Sequence, residues 1–259
     1  MSTDKKTIDW YNEHAEEYAA HAQKEQHMLF HSQYDRPVIQ RLLPDLHGKQ
    51  VLNLGCGSGD DSALLRSLGA ATSVGIDISD KLIAIAKTQH PDCDFQVMDM
   101  EHLQFDDQSF DVAYAGLALH YLEDWSRAFT EVYRVLRPGG SFVFSCGHPL
   151  LSAMAITEET DEIQTRMLRV VKHKQQKTAE VTGDYFTRRI DTAAGDSMDV
   201  TIWHKPMSEI IDEATGAGFL LSALAEPVPE PAVETFKPMQ YQMLSKIPSM
   251  LVIKLEKLS

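Results

Sequence analysis

The chain reads as an α/β protein built on a doubly wound, mostly parallel sheet, and three observations predict it. Short apolar runs alternate with stretches of helical spacing through the first 145 residues. A glycine-rich turn, Gly55-Cys56-Gly57-Ser58-Gly59, separates one such run from the helix after it. The next two runs end in Asp77 and Asp99, at the strand ends where ligands of parallel sheets bind.

Residues 7–28 are polar with scattered Trp10, Tyr18 and Met28, which predicts an amino-terminal helix lying over the domain; a second helix is expected over Asp35–Leu43. Val51–Leu54 is the first strand, and Asp60–Leu68 follows the glycine turn with Leu64, Leu65 and Leu68 on one side. Thr72–Ile76 is the second strand, and Ser79 caps a helix through Gln89 that Pro91 closes from outside. Phe95–Met98 and Phe110–Ala115 are the third and fourth strands, Trp125–Leu136 is a helix, and Pro138-Gly139-Gly140 turns into a fifth strand, Ser141–Ser145. The rhythm then breaks for about fifty residues, a length that marks an insertion between strands. Within it Tyr185–Ile190 and Val200–His204 form a ribbon around Gly195-Asp196. Pro206–Thr215 gives a helix, Phe219–Ala225 and Leu251–Leu255 the last strands, and the proline run from Glu226 to Pro231 an extended loop. The expected units are a helical cap (1–48), a cofactor-binding half (49–150), a substrate-side lid (151–205) and the rest of the core (206–259).

Of 259 residues, 43% are apolar, enough for a sizeable core. The formal charge of −14 argues against nucleic acid as a partner. It is uneven: residues 151–205 hold eight basic and nine acidic side chains, so the rest carries −13. No run of about eighteen apolar residues and no apolar leader is seen, so a cytoplasmic protein with no membrane partner is expected. Cys56, Cys93 and Cys146, an odd number widely spaced, offer neither a disulfide framework nor a zinc quartet, and no metal site is expected.

A glycine turn followed twenty residues later by an acid fits a nucleotide cofactor, with Asp77 gripping a ribose. The dinucleotide fingerprint G-x-G-x-x-G is not met, because Asp60 stands at its last glycine. Asp60 and Asp61 fill the first helical turn, where a pyrophosphate would dock; a carboxylate and a phosphate about 4 Å apart repel by roughly 4 kcal/mol at an effective dielectric constant near 20. A nucleoside bearing cationic groups suits the turn better. Asp61 could instead merely complement the helix dipole.

With Gly75-Ile76-Asp77-Ile78-Ser79, Val97-Met98-Asp99-Met100, Phe110-Asp111-Val112-Ala113, Leu119-His120-Tyr121 and Arg134-Val135-Leu136-Arg137-Pro138-Gly139-Gly140, the chain resembles the class I S-adenosylmethionine-dependent methyltransferases of small-molecule type. The resemblance implies a Rossmann-like seven-stranded sheet, mostly parallel, whose last strand is antiparallel. It further implies that Gly55, Cys56 and Gly57 pass beneath the methionine part and that Asp77 accepts the ribose hydroxyls. Ile78 would pack on the adenine, Asp99 and the Met100 amide would bond its edge, and the Ala115 backbone would line the methionine side. One departure stands out: Asn53 occupies a place where the family usually has an acid.

Methyl transfer is an in-line displacement needing alignment, a dry pocket and sometimes a base, and no metal. Bases at strand carboxyl ends are His120 and His148, each of which could equally satisfy local backbone groups. Tyr11 and Tyr18, seven residues apart, share a helix face with His14 and His21 beside them; Tyr18 either contacts the cofactor or simply packs. In the insertion Arg166, Arg169, His173 and Lys177 recur at helical spacing before Arg188-Arg189. They form a lid for an anionic acceptor or a solvated face paired with Glu158, Glu159, Asp161 and Glu162. Tyr185, Trp203 and His204 are expected to line the acceptor pocket. Rival functions are RNA or protein methylation, disfavoured by charge and by Ala115-Gly116-Leu117-Ala118 after the fourth strand, and a regulatory protein that binds the cofactor without turnover.

Overall fold

A computed structural model of the chain describes residues 3–160, 163–191 and 198–259. Four helices open it: α1 (Lys5–Glu13), α2 (Ala15–Ala22), α3 (Glu25–Ser32) and α4 (Arg36–Leu42). The single helix expected over 7–28 is thus broken at His14 and again near Lys24. The sheet-forming half follows as β1 (Gln50–Leu54), α5 (Asp60–Ser67), β2 (Thr72–Asp77), α6 (Asp80–Gln89), β3 (Asp94–Val97), β4 (Phe110–Gly116), a 3-10 turn (Leu119–Tyr121), α7 (Ser126–Val135) and β5 (Leu136–Gly147). Ser79 caps α6 as its sequence position predicts, its Oγ accepting from the Leu82 amide at 3.1 Å.

The insertion holds α8 (Pro149–Ala153), β6 (Ala155–Glu159), β7 (Gln164–Met167), β8 (Arg169–His173), β9 (Thr178–Thr182), β10 (Arg189–Ile190) and β11 (Trp203–His204). β10 and β11 pair antiparallel as the expected ribbon, whereas the Gly195-Asp196 turn lies outside the described residues. The helical spacing of Arg166, Arg169, His173 and Lys177 is overturned: β6–β7 and β8–β9 are hairpins. The β-branched content of Thr165, Val170, Val171, Thr178, Val181 and Thr182 outweighs the spacing of the cations. The chain ends with α9 (Met207–Gly216), β12 (Leu220–Ala225), α10 (Pro238–Leu244) and β13 (Met250–Glu256).

The seven-stranded sheet has the order β12-β13-β5-β4-β1-β2-β3. All neighbours are parallel except at β13, which runs antiparallel to both β5 and β12. Alternation along each strand feeds two cores. Ala113, Ala115, Phe142 and Phe144 enter one with Trp125, Phe129 and Phe219; Val112, Tyr114 and Val143 enter the other with Ile39 and Leu65. Strand order reverses between β1 and β4, so the crevice beyond their carboxyl ends is where a ligand belongs.

Candidate active site

A cavity of ≈ 370 Å³ opens at that switch point. Its floor is the glycine turn after β1. Gly55 and Gly57 have φ of +65° and +54°, which side chains rarely adopt. A Cβ on Gly55 would collide with the Ala118 side chain, so the turn passes directly under the segment after β4. A Cβ on Gly57 would meet only Tyr18, 3.5 Å away, which leaves a cradle over Gly57 roofed by α2.

Asp77 is fastened at the cavity edge: its Oδ2 accepts from the Gly57 amide and its Oδ1 from the Ser79 amide, both at 2.9 Å. Burial pushes its carboxyl upward, and the two amides oppose that shift. Ile78, Leu82, Met98, Asp99 and Met100 continue the wall as an apolar slot with one carboxylate. The opposite end is more strongly charged. Asp35, Asp60 and Asp61 line it with Arg36, making five carboxylates around the cavity once Asp77 and Asp99 are included. Asp61 is not a bystander on the helix surface: it accepts from the buried Tyr114 hydroxyl at 3.2 Å, and burial raises its carboxyl despite the nearby Arg36. Such a lining attracts a cation and repels a bisphosphate.

α1 and α2 close the cavity with aromatic side chains. Tyr11 sits edge-on to Tyr18 at 5.3 Å and to Tyr121 at 5.6 Å, and its hydroxyl is hydrogen-bonded to that of Tyr121. Burial raises all three phenols, Tyr121 to about 12, so they are neutral hydrogen-bonding groups.

Residues 52–144 match the family described as a methyltransferase domain. A probable phthiotriol/phenolphthiotriol dimycocerosates methyltransferase 2 of Mycobacterium ulcerans is 32% identical over 191 residues, covering 73% of this chain and 69% of that relative. The chain belongs to the class I S-adenosylmethionine-dependent methyltransferases. A phthiotriol/phenolphthiotriol dimycocerosates methyltransferase of Mycobacterium tuberculosis is 43% identical over 104 residues, but the match spans only 38% of its length. A crystal structure of an S-adenosylmethionine-dependent methyltransferase from Mesorhizobium loti superposes with a TM-score of 0.71 at 27% identity, covering 85% of this chain and 96% of that one. The residues present fit the family's cofactor: the cradle over Gly57, the fastened Asp77 and the acidic end suit a nucleoside carrying an ammonium and a sulfonium.

A second cavity of ≈ 390 Å³ adjoins the first, and Leu117 and His120 of the methyltransferase belong to the walls of both. Trp203 and His204 line it, with Trp125, Ile202, Ile210 and Met250 among its apolar walls. The His120 Nδ1 is buried with no hydrogen-bond partner among the described residues, and burial lowers the imidazole to about 4. His148 lines the same cavity with both nitrogens taken. Its Nδ1 accepts from the Leu150 amide at 3.1 Å, so its Nε2 carries the proton and donates to Glu226 at 2.9 Å. His204 is likewise fixed: its Nε2 donates to the Tyr185 carbonyl at 2.9 Å and its Nδ1 accepts from the Ser152 hydroxyl at 2.6 Å.

Two expectations are corrected. Ala115 does not reach the cofactor cavity; it is fully buried in register with Phe144, and the wall begins at Gly116. Tyr185 does not line the acceptor cavity, because its carbonyl holds His204 and its hydroxyl accepts from the Met207 amide at 3.2 Å. Gly55, Cys56, Gly57, Asp77, Ile78, Asp99, Met100 and Tyr18 all line the first cavity. Sequence reasoning missed Lys205, a buried cation on the second cavity whose Nζ donates to both Glu213 oxygens at 2.7 and 2.6 Å and lies over the Trp125 ring. Of the cations expected over an acceptor, Arg188 instead pairs with Glu209 and Glu213, and Arg189 donates to the Asp184, Thr187 and Ser152 carbonyls.

Proposed function

We propose that the protein is an S-adenosylmethionine-dependent methyltransferase for a small, largely apolar acceptor seated in the second cavity. The observation that carries this reading is the wall common to both cavities, Leu117 and His120, the only residues among those described that belong to both linings, across which an acceptor would meet the cofactor. When bound, S-adenosylmethionine supplies a sulfonium-activated methyl group.

The chain's own residues bind, orient and exclude water. Asp77 accepts the ribose hydroxyls, Ile78 and Met100 flank the adenine, and Asp99 accepts from its amino group. Asp61 would hold the ammonium, and the Arg36 guanidinium would hold the carboxylate of the amino-acid tail. Gly55, Cys56 and Gly57 would let that tail approach the backbone beneath Tyr18. The tyrosine roof and the apolar walls keep the junction dry, where fixed dipoles act most strongly. His120, neutral and buried, accepts a hydrogen bond or proton from the acceptor at the junction. His148 and His204 act as positioning residues, holding α8 and the β10–β11 ribbon at the acceptor wall. The mycobacterial relatives are named for phthiotriol and phenolphthiotriol dimycocerosates, which supports an apolar acceptor.

The deciding experiment is calorimetric titration with S-adenosylmethionine and NAD, followed by detection of S-adenosylhomocysteine over a panel of apolar hydroxy, amino and acyl compounds. Binding of S-adenosylmethionine alone is expected, with turnover abolished in Trp203→Ala and His120→Ala at unchanged cofactor affinity. Equal binding of NAD, or turnover indifferent to both substitutions, overturns the reading.

A further inference from the structure

The β8–β9 hairpin stands apart from everything described above. It forms a two-stranded sheet by itself, joined to no other strand among the described residues. Residues 163–182 carry five basic side chains (Arg166, Arg169, Lys172, Lys174 and Lys177) against the single acid Glu180, inside a chain of net charge −14. Among the described residues Glu180 pairs with His173, and no carboxylate lies within ion-pair distance of Arg169, Lys172, Lys174 or Lys177. Val170 and Val181 face each other in register on one side of the hairpin, 55% and 62% exposed, with Lys172 and Ala179 next along that side. Exposed apolar side chains framed by unpaired lysines call for an explanation.

The geometry points to a peripheral docking arm for an anionic lipid surface, on which the lysines meet headgroup phosphates and the valine pair dips into the headgroup boundary. Size argues for this occupant. Two strands of five residues present a face of roughly 17 by 10 Å, about 170 Å², far below the ~800 Å² per partner of a stable protein interface. Composition agrees, because lysine is depleted at protein interfaces while lysine clusters beside apolar groups suit anionic headgroups. The acidic body does not forbid it: a strand of about 17 Å carries the hairpin tip beyond the screening length of ~8 Å. The arm also continues from Arg166 on β7, a lining residue of the second cavity, so a lipid-borne acceptor would emerge beside that wall. No spanning helix is involved; among the described residues none is long and apolar enough to cross a membrane.

The test is flotation of the full chain with phosphatidylcholine vesicles, with and without roughly 30 mol% phosphatidylglycerol. At least tenfold stronger partitioning onto the anionic vesicles is expected, lost near about 0.5 M NaCl. Lys172→Glu/Lys174→Glu/Lys177→Glu should lose more than about tenfold, since each cation near such a surface contributes about fivefold. Val170→Ser/Val181→Ser should weaken binding several-fold with the salt dependence kept. Melting temperature and S-adenosylmethionine affinity, measured on the same variants, should not change, so the arm is judged separately from the methyltransferase reading. Indifference to phosphatidylglycerol or to the triple charge reversal overturns the proposal. So does an arm-dependent dimer in light scattering without vesicle binding, which would give the arm to a second copy of the chain.

Discussion

The Asn53 side-chain amide donates to the Ser62 hydroxyl at 2.9 Å, both residues buried, and this bond ties the Asn53 side chain to α5, off the lining of the cofactor cavity. The place usually held by an acid is therefore structural here. One residue before Ser62, Asp61 projects into the cavity, where a Cβ on Gly116 would lie only 2.8 Å from its Oδ2. The first turn of α5 thus brings a carboxylate to the cavity where β1 brings none. Asp61→Asn should weaken S-adenosylmethionine about 10- to 100-fold, the worth of a hydrogen bond to a charged group. Methylthioadenosine, which has no ammonium, should bind both forms alike in calorimetry; an equal loss for the two ligands would remove Asp61 from this role.

Asp77 is held by amides at both oxygens, so its substitution has two separable effects. Asp77→Ala strands the Gly57 and Ser79 amides and removes the ribose acceptor; about 1–3 kcal/mol of stability is expected to go with each donor left unsatisfied in the fold. Asp77→Asn keeps one acceptor oxygen and restores much of the stability. Cofactor affinity should fall at least about tenfold in both. Chemical denaturation beside a thermal-shift titration tells the effects apart: a stable Asp77→Asn protein that still binds with wild-type affinity contradicts the ribose assignment.

Most of this architecture was legible because it depends on local chemistry. The caps, apolar runs and glycine turn are short-range signals, and α6 begins where Ser79 predicts it. Within the insertion the ribbon forms as expected, and only the helical spacing of the cations misleads, for a physical reason. Cations spaced three and four apart mimic a helix, but in an exposed hairpin their positions are free of burial, so the β-branched residues between them decide. Lys205 could not be foreseen, because its partner Glu213 comes from another element and a buried lysine has no periodic signature. Tyr185 and His148 sit close to where the chain order places them, yet hydrogen bonds to Met207, Leu150 and Glu226 give their polar atoms structural work.

His120 should make stability depend on pH. Its imidazole is lowered from 6.5 to about 4 by burial, so the unfolded chain binds more protons between those values. Folding is favoured as pH rises through that window, fully so above 6.5, and the contribution is lost as pH falls toward 4. The shift corresponds to ~3 kcal/mol. His120→Asn should flatten this part of the pH profile in urea denaturation, and turnover near neutrality should show no inflection from this group. A wild-type inflection near 6.5 that the substitution abolishes would mean that His120 titrates as an exposed histidine.

Lys205 and Glu213 allow the buried charge to be weighed against its partner. The lysine side chain is 1% exposed and the glutamate 8%, and Glu213 also accepts from Arg188 at 3.0 Å and from the Trp125 amide at 3.1 Å. Lys205→Met leaves the carboxylate with these two donors and one countercharge, so the cost should lie near the lower end of the ~3–5 kcal/mol seen when a buried pair is broken. Glu213→Leu alone leaves an ammonium facing the Trp125 ring and should cost as much or more, since among the described residues no other carboxylate is bonded to it. The double substitution removes both desolvation penalties and should recover about half of the summed loss or more, a coupling urea denaturation resolves easily. Because Lys205 and Trp125 also wall the second cavity, acceptor KM should rise in the double variant while S-adenosylmethionine affinity stays fixed. Additive losses would show that the two charges are stabilised independently, Glu213 by Arg188 and Lys205 by the ring.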